Sequence, residues 1–283
     1  MALHYGKQKA TYDPADLRFI DVRPKDLKIG DVLNNAALPK IRPFGGGYGT
    51  DFTNWGMLGN GPDDDGSIPA EDTAAQQGAG DCAWAGPAHE EMESAHNAKR
   101  PIPRFTSYNI LEQYSAYSGY DLVTGDNDNG SNVRDVLNWR ATTGLKDADG
   151  NTYKIGPFVS LEVGNLTELY EALYLFENVG IGIQVPESVM DQFNNGQVWS
   201  VVAGAQIEGG HYIPLVGHPT QNLWTVVTWG KRQLATAQFL STYMDEAWAY
   251  IDPERYNRVT GETLENYKDA DLEKYLTLLP QSS

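Results

Sequence analysis

The sequence holds one cysteine, Cys82, among 283 residues. A single thiol excludes an intrachain disulfide and any thiolate-rich zinc or iron–sulfur centre, so whatever chemistry Cys82 carries it carries as a thiol. Histidine is scarce, with only His4, His89, His96, His211 and His218. Basic charge is short as well: 21 Lys and Arg stand against 38 Asp and Glu, a net charge of −17. Such a field repels phosphate backbones and anionic lipid, which argues against nucleic acid and membrane surfaces as partners. No apolar run approaches the ~18 residues that a membrane-spanning helix needs, and Met1 to Ala10 lacks the charged-then-apolar layout of a signal peptide. The expectation is a soluble chain, made in a cytoplasm and not secreted through a signal peptide. What is present, 41% hydrophobic and 21% charged residues, suffices for one large domain, or one domain plus an arm.

Residues 1 to 70 are rich in Pro, Gly and Asp and predict an extended N-terminal arm wrapped over a domain of residues 71 to 283. Too few apolar residues are present there to offset the arm's own ordering entropy. Acids at Glu90, Glu91 and Glu93 followed by Lys99 and Arg100 match a helix dipole, with the helix ending near Asn97. Tyr108, Leu111, Tyr114 and Tyr117 have helical spacing, and Ser131 is placed to cap a helix carrying Val133, Val136, Leu137 and Trp139. A further helix spans Thr167 to Glu177. Short β-rich runs follow: 182–185, 198–202, 211–216, 223–229 and 248–251, with helical stretches at 236–243 and 272–279. Helices first and strands later predict an α+β fold.

Gln76-Gln77-Gly78-Ala79-Gly80-Asp81-Cys82 sets the thiol after two glycines and ahead of a helical stretch. A helix N-terminus there would lower the thiol pKa and sharpen its nucleophilicity. Far downstream, His211 opens a β-run, and Val227-Thr228-Trp229-Gly230 closes the next. An early cysteine on a helix and a late histidine on a strand is a layout for nucleophilic hydrolysis.

On these residues the chain resembles the papain-like cysteine peptidases. Gln76, Gly80 and Cys82 match that family's glutamine and Gly-x-Cys motif in register, His211 is similar to its histidine, and Val227-Thr228-Trp229-Gly230 to its Asn-x-Trp-Gly motif. Asn129-Gly130-Ser131 resembles its glycine-bearing substrate loop. The resemblance covers roughly residues 70 to 251 and implies a papain-like fold, with Cys82 and His211 as catalytic pair, Gln76 in the oxyanion hole, and Gly130, Ser131 and Trp229 at the substrate. The wording around Trp55 to Asn60, Gly80-Asp81-Cys82 and Tyr243 to Ala247 is closer still to papain-like proteins of tailed bacteriophages, a group without a settled activity. That implies a virion or host-cytoplasm location, and either a peptide or protein substrate or neighbouring virion subunits gripped by the arm.

Two departures qualify the resemblance. Val227 stands where the family has the asparagine that orients the histidine, and valine forms no hydrogen bond. Thr225 or Thr228 substitutes only if the strand rotates or the hydroxyl reaches across. Pro87 would delay the regular helix to Gly86, and Pro214 argues for an edge strand or a bulge. His89, Glu93 and His96 share a helical face, but packing explains them better than a metal does. His218, between Gly217 and Pro219, reads as a turn residue. The Asp126-Asn127-Asp128-Asn129-Gly130 run lacks the spacing of a calcium loop and reads as a solvated rim. No metal and no cofactor are expected.

Overall fold

The structure, a computed structural model, describes residues 5–23, 56–59, 65–97, 100–176, 179–220 and 222–250. The expected helix at 272–279 and much of the arm lie outside these residues. Helices come first: α1 (Phe19–Val22), α2 (Cys82–Asn97), α3 (Ser107–Ser118) and α4 (Val133–Thr142). A two-stranded ribbon follows, β1 (Leu145–Lys146) with β2 (Thr152–Tyr153). The main sheet takes β3 (Phe158–Ser160), β4 (Val179–Pro186), β5 (Ile207–Thr220), β6 (Leu223–Thr228), β7 (Lys231–Thr236) and β8 (Met244–Tyr250). Helices α5 (Leu166–Phe176), α6 (Ser188–Asn194) and α7 (Ala237–Tyr243) fall between its strands. The order is β3-β8-β4-β5-β6-β7 with every pair antiparallel, the α+β layout expected.

Both faces of this sheet are buried, and the two-residue period of a strand assigns each residue to one of two cores. Ile213 and Leu215 of β5, Trp224 and Val226 of β6 and Ala247 of β8 pack with Leu169 and Leu173 of α5 and Phe239 of α7. Tyr212, Val216, Val227, Trp248 and Tyr250 face the opposite way, against Cys82, Trp84 and Ala88 of α2, Leu111 and Tyr114 of α3 and Leu137 of α4. In this second core Arg140 of α4, fully buried, meets Glu90 at 2.9 Å and Glu91 at 3.1 Å, and Tyr212 donates to Glu90 at 2.7 Å. Breaking such a buried set costs about 3–5 kcal/mol, because a charge is left unpaired. The network ties the helical half to the strand that carries the histidine.

Several local expectations are corrected. Helix α2 begins at Cys82 and runs through Pro87; the proline removes one bond to the Ala83 carbonyl, but residues 82 to 95 are all buried and that packing holds the helix. Asn132, not Ser131, caps α4, accepting from the Arg134 and Asp135 N–H groups, while the Ser131 hydroxyl accepts from the Trp84 indole at 3.0 Å. For Pro214 the expectation of an edge or a bulge resolves to the bulge: the residue lies on a strand paired on both sides, next to a register shift at Leu215/Gly217. The 198–202 run forms a single bridge, Trp199 to Ala235. His218 is no turn residue: it sits within β5 with its ring 4.6 Å from that of Tyr170.

The described part of the arm laces across the domain. Tyr12 stacks on Trp248 at 6.0 Å, Asp16 pairs with Arg134 at 2.7 Å, Ser160 donates to the Leu17 carbonyl, and Phe19 is fully buried in the first core.

Candidate active site

Cys82 is the first residue of α2 and is 2% exposed. The Tyr212 N–H donates to its sulfur at 3.4 Å, which brings the residue next to His211 against the thiol across 130 positions. A helix N-terminus and two backbone N–H donors, Tyr212 and Gly6, favour a thiolate, yet burial outweighs them and pushes the thiol up to about 12. The lowered thiol pKa expected from the sequence is therefore absent in this closed state.

His211 lies on β5 with the parity of Ile213 and Leu215, so its ring faces the first core. There its Nε2 lies 2.8 Å from the Thr228 hydroxyl, and Trp229 stacks on the ring at 4.8 Å with a 12° interplanar angle. Val227 points into the opposite core. Parity explains the departure noted in the sequence: the valine occupies the motif position, but the hydroxyl one residue on shares the histidine's face, and no rotation of the strand is needed. A hydroxyl both donates and accepts, so it holds the ring without fixing the tautomer as an amide oxygen would. Nδ1 has no hydrogen-bond partner among the described residues. Burial drives the imidazole down to about 3, so it is neutral at neutral pH. Cys82, His211, Val227, Thr228 and Trp229 line one small cavity with Met57 and His89.

A segment of the chain's own N-terminus closes this site. The Lys7 N–H donates to the Gly210 carbonyl at 3.0 Å, the Ser131 N–H to the Gly6 carbonyl at 2.7 Å, and the Gln8 N–H to the Ser131 carbonyl at 3.0 Å. The Gln8 side chain adds donors to the Asn129 and Gly130 carbonyls. Residues 5 to 8 thus form a strap bonded on both sides, to the 129–131 loop and to β5. At the thiol the strap offers the N–H of Gly6, while the Gly6 carbonyl is turned to Ser131. The approach is so close that a Cβ on Gly6 would overlap the Gly80 carbonyl, and one on Gly130 would overlap Gly6.

Gly130 and Ser131, expected at the substrate, bind this strap through their backbones. Gln76 is half-buried and donates its amide to the Ile68 carbonyl at 2.8 Å, so the expected oxyanion donor is engaged elsewhere. Trp229, expected at the substrate, is buried flat against His211. His89 lies 3.1 Å from the Gly56 carbonyl, and among the described residues no cluster is placed to hold a metal. Among them, too, no helix is long and apolar enough to cross a membrane.

Sequence reasoning missed Asp128. Its carboxylate accepts from the Gly80 N–H at 3.0 and 3.1 Å and from the Tyr114 hydroxyl at 2.7 Å, tying the 126–130 loop to the backbone before Cys82. Loop carboxylates are common, and only the fold brings this one to Gly80.

This arrangement, a helix headed by the cysteine packed on an antiparallel sheet that carries the histidine, is the papain-like cysteine protease fold. Xylellain, a cysteine protease from Xylella fastidiosa, superposes with a TM-score of 0.58 at 16% identity, over 88% of this chain and 96% of that one. A procathepsin B from Trypanosoma congolense matches at TM-score 0.45 and 12% identity, over 61% and 69% of the two chains. A Carica candamarcensis cysteine protease matches at 0.46 and 12%, over 62% and 89%. The fold assignment stands on the first of these. No family model matches the chain, and the comparison with curated proteins gives no match.

Proposed function

We propose that the protein is a thiol hydrolase of peptide or isopeptide bonds, held closed by its own N-terminal strap. The observation that carries this reading is the histidine: its Nε2 is tied to Thr228, its plane is set by Trp229, its Nδ1 has no hydrogen-bond partner among the described residues, and the residue lines one cavity together with Cys82. A buried histidine with no chemical task is ordinarily satisfied at both nitrogens. In the Nε2–H tautomer Nδ1 keeps its lone pair and acts as base. The Cys82 S–H proton passes to Nδ1, sulfur adds to the carbonyl carbon, and the proton goes on to the leaving amine as the C–N bond breaks. Water, deprotonated by the same nitrogen, then releases the acyl group from sulfur. The Cys82 N–H, at a helix head without an intrahelical partner, donates to the oxyanion. Gln76 joins it only by leaving the Ile68 carbonyl.

The test compares the full chain with Cys82→Ala and His211→Ala in cleavage of a peptide library, after the strap is displaced by Gly6→Val. Cleavage lost in both substitutions is expected. A displaced-strap variant whose Cys82 is alkylated by iodoacetamide no faster than its His211→Ala counterpart would sink the reading.

A second reading, a tailed-phage virion or assembly component that keeps the fold for binding, is supported by the resting state, where thiol and imidazole are both neutral. It joins the sequence resemblance to the way residues 5 to 23 grip the domain, a grip that a neighbouring subunit could receive instead. Virions in which Cys82→Ala leaves assembly and infectivity intact, while displacement of the arm abolishes both, would favour it.

A further inference from the structure

The strap's side chains carry information beyond closure. Lys7 projects from the middle of the strap and its side chain is 1% exposed. Its ammonium lies 3.1 Å from Asp245 and 3.0 Å from Glu246 on β8 and donates to the Gln8 carbonyl at 3.0 Å. Glu246 is itself 1% exposed at its side chain and is braced by the Trp248 indole at 2.8 Å. Opposite it on β4, Gly182 supplies the space: a Cβ there would overlap the Lys7 side-chain carbons. An enclosed carboxylate, a second at its rim and a missing side chain make a slot for a long cationic side chain.

We infer that the slot formed by Gly182, Asp245 and Glu246 is the groove's specificity subsite, that it selects peptides bearing lysine or arginine, and that Lys7 is its resident occupant. This rests on the reading of the groove as a peptide site. The strap reaches the slot while its backbone bonds to Ser131 and Gly210, and an exogenous peptide making those bonds would deliver a side chain to the same place. A slot that reads charge is indifferent to the direction of the backbone that carries it. Burial penalises the Glu246 carboxylate, and the Lys7 ammonium, ahead of the Trp248 indole, favours its ionised form. A cation is thus the occupant that relieves the most. The net charge of −17 works the same way at long range, concentrating cationic peptides at the surface.

The test uses the full chain carrying Gly6→Val and a blocked synthetic peptide of sequence Tyr-Gly-Lys-Gln-Lys, matching residues 5 to 9. Protection of Cys82 from iodoacetamide is measured against peptides with glutamate or leucine in place of the first lysine. The lysine peptide is expected to protect at concentrations at least tenfold lower, and Glu246→Gln to shrink that ratio severalfold. Equal protection by all three peptides overturns the inference. As a second variant, Lys7→Glu in the otherwise intact chain sets three carboxylates together and is expected to speed Cys82 alkylation at least tenfold; an unchanged rate also overturns it. Protection needs no turnover, so loss of the hydrolase reading would appear as selective protection without cleavage, and loss of the subsite as cleavage without selectivity.

Discussion

The two sides of the groove are held by different kinds of contact. On the histidine side, side chains hold side chains: Thr228 to Nε2, Trp229 flat on the ring, with Phe193 and Trp199 against the indole. On the thiol side the strap lies close against Gly80 and Gly130 and is held by backbone hydrogen bonds shared between Ser131 and Gly210, to which the Gln8 and Lys7 side chains add theirs. The first kind is interior packing and stays in place. The second is a set of hydrogen bonds worth about 0.5–1.5 kcal/mol each and open to exchange with another peptide. Under the proposed hydrolase reading, the difference teaches that the base can be set permanently while access to the nucleophile remains reversible.

The strongest break in this comparison is Gly6→Val, since a side chain there collides with Gly80 backbone. With the thiol released from a pKa of about 12 toward the ~8.5 of a free cysteine, thiolate at neutral pH rises roughly a thousandfold. Alkylation by iodoacetamide should accelerate at least a hundredfold; a rate equal to the parent's would mean the strap does not guard the thiol.

Thr228→Val strikes the other side. Nε2 loses its partner at about 1–3 kcal/mol, so cleavage by the displaced-strap variant should fall roughly ten- to hundredfold, with Thr228→Ser restoring most of it. Undiminished cleavage would show that the hydroxyl does not orient the ring. Val227→Asn, the change that the family motif suggests, should not raise activity. Val227 faces the second core, and an amide buried there without a partner costs about 1–3 kcal/mol. A gain in cleavage rate would contradict the parity argument.

A separate effect is on the pH dependence of stability. His211 is held at about 3 in the fold and returns to ~6.5 in the unfolded chain, so the unfolded state binds the proton first. Its contribution is complete above pH ~6.5 and is lost as pH falls toward 3, with a slope of up to ~1.4 kcal/mol per pH unit. Urea midpoints followed from pH 7 to 4 should fall more steeply for the parent than for His211→Ala; parallel profiles would refute the buried neutral imidazole.

The helices over 107–118, 133–142 and 166–176 were legible because their apolar residues recur at helical spacing and their ends carry caps or glycine, and Cys82 and His211 were legible from their flanking glycines and rarity. Strand β3 and the ribbon were not, since runs of two or three residues carry no period. Local propensity places the start of regular helix at Gly86 and not at Cys82, because it does not count the burial that carries α2 through Pro87.

By itself the sequence determined the class of fold and singled out Cys82, His211 and the loop at Gly130 and Ser131 as candidates, because each depends on spacing within a short stretch. Only the tertiary structure decided the rest. It placed Thr228 and not Val227 on the histidine, because the parity of a strand relative to its neighbour is set by pairing. It sent the Gln76 amide to Ile68, brought Asp128 to Gly80, and laid residues 5 to 8 over Cys82. These contacts join positions that no local pattern connects. The thiol's resting state follows from the same source, since desolvation is a property of what surrounds a group and not of its neighbours in the chain.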